Sequence, residues 1–397
     1  MRKLIVSIFL VVALYFLLLN PAFTFMGGRH SQLLLWPFVI LLRFNNVRAG
    51  INLHKGFLIS WFFVLLYIVL RTLMGGIPQY LITHLSLLFG ILLAFVLIRI
   101  ASIYEVDLIK SLLIMACIAG SISCVCLFSP SFNVFTKSIQ VITNDYLLEN
   151  TFRGFGIGDG LTFTYGVILG SICALGICLI SKYRRFILFI PIVSGAVLIN
   201  ARTGFVPVII SFLYLLIFER KIKNYVYIFG FVLLLYFMWI SFIERLIPAD
   251  TLEWAKIFFE EIGEGSEGAT ADVLMSYDVW PDNTFEWIFG KGFSVFEPIK
   301  GRRSDVGYSI ELCYGGLIYC MLLCIMVWKL IKPAYKKMPA MCFWTFVISL
   351  FIFNIKSEYI SGNVAFVFLV LIMFYYSQKD VKQVREDKNV LSNVTAN

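Results

Sequence analysis

Charge is scarce in this chain. Asp, Glu, Lys and Arg make up only 14% of its 397 residues, while apolar types make up 60% and mean hydropathy is +0.88. A soluble domain of this length cannot hide that much apolar surface, so soluble globular classes are excluded. Histidine is scarcer still. His30, His54 and His84 lie far apart and without metal-ligand spacing, so no metal centre is expected. The nine cysteines fall in or beside apolar stretches, with no paired CxxC motif, and read as small packing residues rather than a disulfide framework. No P-loop, GxSxG or HExxH motif occurs. The first segment, 3–20, starts basic and turns apolar like a signal peptide. The bulky Asn20-Pro21-Ala22-Phe23-Thr24-Phe25 that follows offers no small-x-small cleavage site, so it is expected to stay as a first span.

What the chain does have is alternation: apolar stretches of bilayer-crossing length, with nearly every second gap between them basic. A crossing helix needs roughly 20 apolar residues, and in lipid the backbone must pair with itself. The expected fold is therefore all-α, a polytopic membrane bundle of about twelve helices. The spans are placed at 3–20, 31–44, 57–74, 81–100, 109–129, 161–181, 186–200, 204–219, 225–243, 309–328, 340–355 and 359–377. The seventh and eighth are short enough to expect tilted or broken helices. This divides the chain into spans one to nine (1–243), a long outer loop (244–308), spans ten to twelve (309–377) and a polar tail (378–397).

Orientation follows from the Lys/Arg bias. With both termini in the cytoplasm, 21 of the 33 basic residues fall on the cytoplasmic side. The loop 244–308 holds 13 acidic and 6 basic residues, a net −7, against +16 for the rest of the chain. Topology and anionic lipid explain the basic side, so nucleic acid need not be invoked as a partner. Within the loop, helical spacing is expected over 248–262 and 271–280, separated by the glycine-rich break 263–268.

Arginine at the expected outer face is the main chemical signal. Arg153 precedes span six in Phe152-Arg153-Gly154-Phe155-Gly156. Arg202 sits in Asn200-Ala201-Arg202-Thr203-Gly204, between spans seven and eight. The planar guanidinium stays charged and grips phosphate through paired hydrogen bonds. Bland roles stand beside this one. Arg202 also fits a cap on span seven, Arg153 a folding contact in its loop, and Arg302 with Arg303 a solvated patch.

These motifs resemble those of the O-antigen polymerase and O-antigen ligase superfamily. The Asn200–Gly204 motif and the Arg153 motif resemble its two outer-face arginine motifs. Ile288-Phe289-Gly290-Lys291-Gly292-Phe293, Ser304-Asp305-Val306-Gly307-Tyr308 and Gly315-Gly316-Leu317-Ile318 resemble the end of its long loop and the span after it. The resemblance implies a glycosyltransferase that takes a glycan from an undecaprenyl-pyrophosphate carrier at the outer face of the bacterial inner membrane, with no cofactor and no metal. Arg202 and Arg153 would stabilise the leaving pyrophosphate. Arg302, Arg303, Tyr308 and Glu311 would bind substrate. The loop lacks the histidine of the ligases, which favours the polymerase branch. A carboxylate would then serve as acceptor base, Asp305 before Glu311, although Asp305 equally fits a helix N-cap. A chain-length regulator protein is an implied partner. From another class, a transporter or flippase fits the span count, but the sequence shows no internal repeat and no matched pair of broken helices.

Overall fold

The computed structural model describes residues 2–26, 31–35, 37, 54–142, 156–158, 162–218, 230, 279–292 and 306–378. Among these the fold is helical, with a single isolated bridge, Phe23 to Gln140, as its β feature. The helices are α1 (Arg2–Leu18), α2 (Lys55–Leu73), α3 (Gln79–Ile103), α4 (Leu108–Phe128), α5 (Pro130–Ser138), α6 (Thr162–Cys178), α7 (Ile190–Asn200), α8 (Val206–Phe218), α9 (Thr284–Phe289), α10 (Gly307–Ile331), α11 (Ala340–Lys356), α12 (Tyr359–Gly362) and α13 (Ala365–Gln378). Helices α2, α3, α4 and α10 are each long and apolar enough to cross a bilayer, and α6, α7, α8, α11 and α13 are shorter apolar helices. The protein is a membrane protein. Its lipid-facing surface is visible on α10, where exposed Leu317, Met321, Ile325 and Trp328 recur at helical spacing as an unpartnered stripe.

Local chemistry explains where the helices start. The Asp107 carboxylate caps α4 by accepting from Lys110 N at 3.2 Å. Ser129 caps α5, with Pro130 in the first turn where its missing N–H costs nothing. At α9, Asn283 accepts from Glu286 N at 3.0 Å, and Glu286 reaches back to Asp282 N at 2.8 Å, a near-reciprocal cap.

Helices occupy the expected positions of spans one, three to eight and ten to twelve. The expected second span is described only at 31–35, a 3-10 turn, and at residue 37. The ninth span except residue 230, the two loop helices except residues 279–280, and the tail after residue 378 lie outside the described residues. Span seven is short, as expected: a 3-10 turn over 184–188 leads into the eleven-residue α7, and a second over 202–205 follows it.

Span ten was placed as one apolar stretch over 309–328, and α10 breaks within it at Gly316, which has φ 66 and ψ −169. The cause lies in the loop segment 279–292. Lys291 N donates to Cys313 O at 2.6 Å and Gly292 N to Tyr314 O at 2.9 Å, while Tyr67 Oη donates to Gly315 O at 2.7 Å. The loop backbone packs so closely that a Cβ on Gly316 would collide with Ile288, and one on Gly290 with Tyr314. Glycine permits both the positive φ and the approach.

Helix ends gather on two faces. On the loop face, Ile77 N donates to Gly292 O at 2.9 Å, Thr164 Oγ1 to Asn363 Oδ1 at 3.1 Å, and Gln140 Nε2 to Gly156 O at 2.9 Å. On the opposite face, Ser377 Oγ lies 2.8 Å from His54 Nε2, and Lys182 pairs with Asp107 at 2.9 Å.

Candidate functional site

The turn that carries Arg202 is seated by glycines. Helix α6 presents Gly166 and Gly170 on one face, four residues apart. A Cβ at Gly166 would collide with Ala201, and one at Gly170 with the Gly204 carbonyl. This is the small-xxx-small contact by which membrane helices let backbones approach. Helix α7 ends at Asn200 with Ala201 as C-cap, and Arg202 opens the 3-10 turn that follows. The Asn200 side chain donates to Ala196 O at 2.8 Å and to Ser123 Oγ at 3.4 Å. The Arg202 side chain lies outside the described residues, as do Arg153, Arg302, Arg303 and Asp305.

A buried polar chain starts two residues before Gly166. Thr164 on α6 bonds Asn363, whose Oδ1 also accepts from Ala365 N at 2.8 Å. Two residues earlier in the chain, Ser361 Oγ donates to Glu311 Oε1 at 2.8 Å, and Asn354 Nδ2 donates to Glu311 Oε2 at 2.9 Å. Asn354 Oδ1 in turn accepts from the backbone N–H groups of Tyr359 and Ile360, which opens α12. Glu311 is thus sealed, 3% exposed, with each oxygen held by one donor. A carboxylate so enclosed orders three helices. It does not stand open to a substrate. Tyr308, by contrast, is 38% exposed, and its hydroxyl donates to Phe351 O at 3.0 Å.

The N-cap of α10 is Val306, without a side-chain cap bond, so the capping position expected for Asp305 falls one residue further on.

The sequence reading did not single out a second cluster on this face, beside the break in α10. Arg71, in the last turn of α2, is 7% exposed, and its Nη2 donates to Gly290 O at 2.9 Å. The ring of Tyr314 stacks on Tyr80 with centroids 3.6 Å apart. The Tyr80 hydroxyl donates to Glu358. His84 accepts from Tyr319 Oη at 3.1 Å if its other nitrogen, 2.9 Å from Tyr80 O, carries the proton. Glu358 joins α11 to α12 and is half-buried. Desolvation raises its carboxyl to about 7, against the lowering effect of the Tyr80 hydrogen bond.

A cation of the neighbouring loop segment behaves differently. Lys291 lies 2.7 Å from Asp282 and 3.4 Å from Glu286. Burial lowers its pKa, but the two carboxylates outweigh burial and raise it overall. Lys291 is neutralised by its own loop. Arg71 has no carboxylate within ion-pair distance among the described residues. The signal for it was present in the sequence: an ionisable residue after fifteen residues without one, inside an apolar span.

No protein-family model, no curated protein and no solved structure matches this chain.

Proposed function

We propose that this protein polymerises undecaprenyl-pyrophosphate-linked oligosaccharide repeat units at the outer face of the bacterial inner membrane, with both termini in the cytoplasm. The observation that supports this reading best is the seat of the Asn200–Gly204 turn. Glycines of α6 hold the Arg202 backbone on the face where the loop segment enters α10. In the proposed reaction an acceptor hydroxyl attacks the anomeric carbon of the donor glycan, and the carbon–oxygen bond to the pyrophosphate breaks. Arg202 and Arg153 stabilise the charge that develops on that leaving group. A carboxylate takes the acceptor proton. Asp305 remains a candidate, and the partly open Glu358 fits the task better than sealed Glu311. Arg302, Arg303 and Tyr308 contact the glycan, and a chain-length regulator is the proposed protein partner.

The break in α10 favours one second reading. Discontinuous helices line substrate sites in secondary transporters and flippases. Deletion in the native host, followed by gel analysis of surface polysaccharide, separates the readings. A single repeat unit on the lipid anchor identifies a polymerase. Polymer accumulating on the carrier identifies the ligase alternative, and absence of any externalised unit identifies a flippase. Within the polymerase reading, Arg202→Ala abolishes polymer and Arg202→Lys restores part of it, because a lysine keeps the charge and loses the fork. Purified protein retains turnover in EDTA. Activity lost to EDTA and restored by Mg²⁺ would overturn the arginine mechanism.

A further inference from the structure

Arg71 poses a charge problem. A guanidinium that is 7% exposed and has no acid partner among the described residues is costly to keep beside a membrane, because burial strips its hydration. Its one hydrogen bond among the described residues runs to a neutral carbonyl, that of Gly290. Its Nε is sealed from solvent and meets no acceptor. A second donor shares the predicament. The Tyr314 hydroxyl, within electrostatic reach of Arg71, is also sealed, with the Thr72 hydroxyl as a neighbour held short of full hydrogen-bonding geometry. Tyr67, the third polar group here, already donates to the carbonyls of Phe289 and Gly315. The described residues here thus present a cation and a hydroxyl, both donors, answered by one carbonyl, that of Gly290, and by the loosely placed Thr72 hydroxyl.

Space is open at Gly75, in the turn after α2, where a Cβ would meet nothing within 4 Å. Gly292 approaches so closely that a Cβ there would lie 2.9 Å from Arg71 Nη2, so the loop backbone fixes the guanidinium in place. The negative groups nearby are spoken for: Asp282 and Glu286 by Lys291, and Glu358 by Tyr80.

We propose that Arg71 and Tyr314 form a binding site for a phosphate group, and in the reaction proposed above for one phosphate of the isoprenyl-pyrophosphate carrier. A phosphate brings several acceptor oxygens and at least one full negative charge, which is what the unanswered Arg71 Nε, the loosely held Tyr314 hydroxyl and a guanidinium without an acid among the described residues call for. The lipid source rests on the polymerase reading. The phosphate chemistry does not. The site is distinct from the Arg202 turn, which α6 holds, and adds α2 and α10 to the residues that grip the carrier.

Binding decides the matter without recourse to polymer. Full-length protein in nanodiscs of zwitterionic lipid is titrated with radiolabelled inorganic pyrophosphate and with farnesyl pyrophosphate. Wild type binds both, and farnesyl pyrophosphate binds more tightly. Arg71→Gln weakens both at least tenfold, Arg71→Lys falls between, and Tyr314→Phe weakens both a few-fold. Tyr314→Phe removes one oxygen from the site and leaves the ring stack intact, so it tests the site even if Arg71→Gln does not fold. Equal affinity for the two ligands would overturn the lipid source and keep the phosphate site. Failure of wild type to bind either ligand, or wild-type affinity in Tyr314→Phe and Arg71→Lys alike, would overturn the site. A deletion strain that makes normal polymer would overturn the polymerase reading and leave these binding results standing.

Discussion

The two faces of the bundle differ in their backbone and in how their charged groups are held. On the face opposite the loop, the charged groups at the helix ends pair locally, although Arg99 Nε and His54 Nδ1 are sealed without a partner among the described residues. Asp107 collects Lys182 at 2.9 Å, Tyr183 at 2.7 Å and its own helix terminus, and Lys337 donates to Ser377 O at 2.8 Å. The helices there are unbroken. On the loop face α10 is broken, loop backbone enters the break, two acids sit in or beside buried networks, and Arg71 has no acid partner among the described residues. The difference teaches where selection for stability stops. Satisfied ion pairs at helix ends hold a topology together. A broken helix with orphaned donors costs stability, and such features persist where something binds.

The strongest test of the comparison strikes the backbone seats of the loop face. Gly170→Val places a branched side chain against the Gly204 carbonyl, with no room to turn away. We expect a loss of about 3 kcal/mol in reversible unfolding in detergent, at the upper end of overpacking costs. The glycosyl-transfer reading adds loss of polymer, since the Arg202 turn moves with the clash. Wild-type stability in Gly170→Val would show that the two segments are not in contact.

Next in size is the buried acid. Glu311→Leu removes the acceptor for Ser361 and for Asn354, and each orphaned donor costs about 1–3 kcal/mol. We expect a destabilisation of about 2 kcal/mol. Glu311→Gln, which still accepts from one donor, should cost about half of that. Equal effects of the two changes would mean the network is not satisfied as drawn.

The faces should also answer pH with opposite signs. Burial, aided by Lys337, lowers the His54 imidazole from 6.5 to about 3. A histidine held neutral contributes stability above its unfolded value, and that stability is lost as pH falls from 6.5 toward 3. Glu358 runs the other way. Its carboxyl is raised from 4.5 to about 7, so the folded state favours the protonated form. Stability from this group is full below 4.5 and lost as pH rises to about 7. Unfolding midpoints followed from pH 7 to pH 4 should therefore fall less steeply in His54→Gln than in wild type, and more steeply in Glu358→Gln. Parallel curves for the three proteins would erase the contrast.

Much of this fold was legible because hydrophobicity has a bilayer-length scale. Helices at the expected positions of the first span, the third to the eighth and the tenth to the twelfth follow from apolar runs alone. The motif 200–204 was legible as a turn, because α7 and α8 leave few residues between them. The break in α10 was not. Gly315-Gly316 stands in an apolar run, and such pairs are common in continuous membrane helices. What breaks the helix is the backbone of residues 288–292, which is distant in sequence. Arg71 escaped for the same reason: the acceptor that explains its burial, Gly290 O, lies 219 residues away. Glu358 and Tyr80 also meet only in three dimensions. Asp305 fared differently, since its expected cap position is taken by Val306.

The smallest effect is expected where charges are most visible. Lys182 and Asp107 form an ion pair at 2.9 Å, but the lysine side chain is 60% exposed and the aspartate 31%. Exposed pairs contribute about 0–1 kcal/mol, because water screens the attraction and a long side chain loses freedom. Lys182→Ala should therefore change unfolding by less than about 1 kcal/mol and leave polymer untouched. Tyr183→Phe should cost more. Burial works against the charged Asp107, yet hydrogen bonds from Tyr183, Lys182 and Lys110 N outweigh it and hold the carboxyl below its ordinary range. Removing the tyrosine hydroxyl takes away the 2.7 Å bond to Asp107 at a half-buried site. The sign follows: a lowered carboxyl contributes stability above its unfolded value and loses it as pH falls through the folded one. The acid limb of wild-type unfolding should shift upward in pH in Tyr183→Phe and hardly move in Lys182→Ala. If Lys182→Ala proved the more damaging, the opposite face would depend on its exposed charges, and the contrast between the faces would have to rest on the broken helix alone.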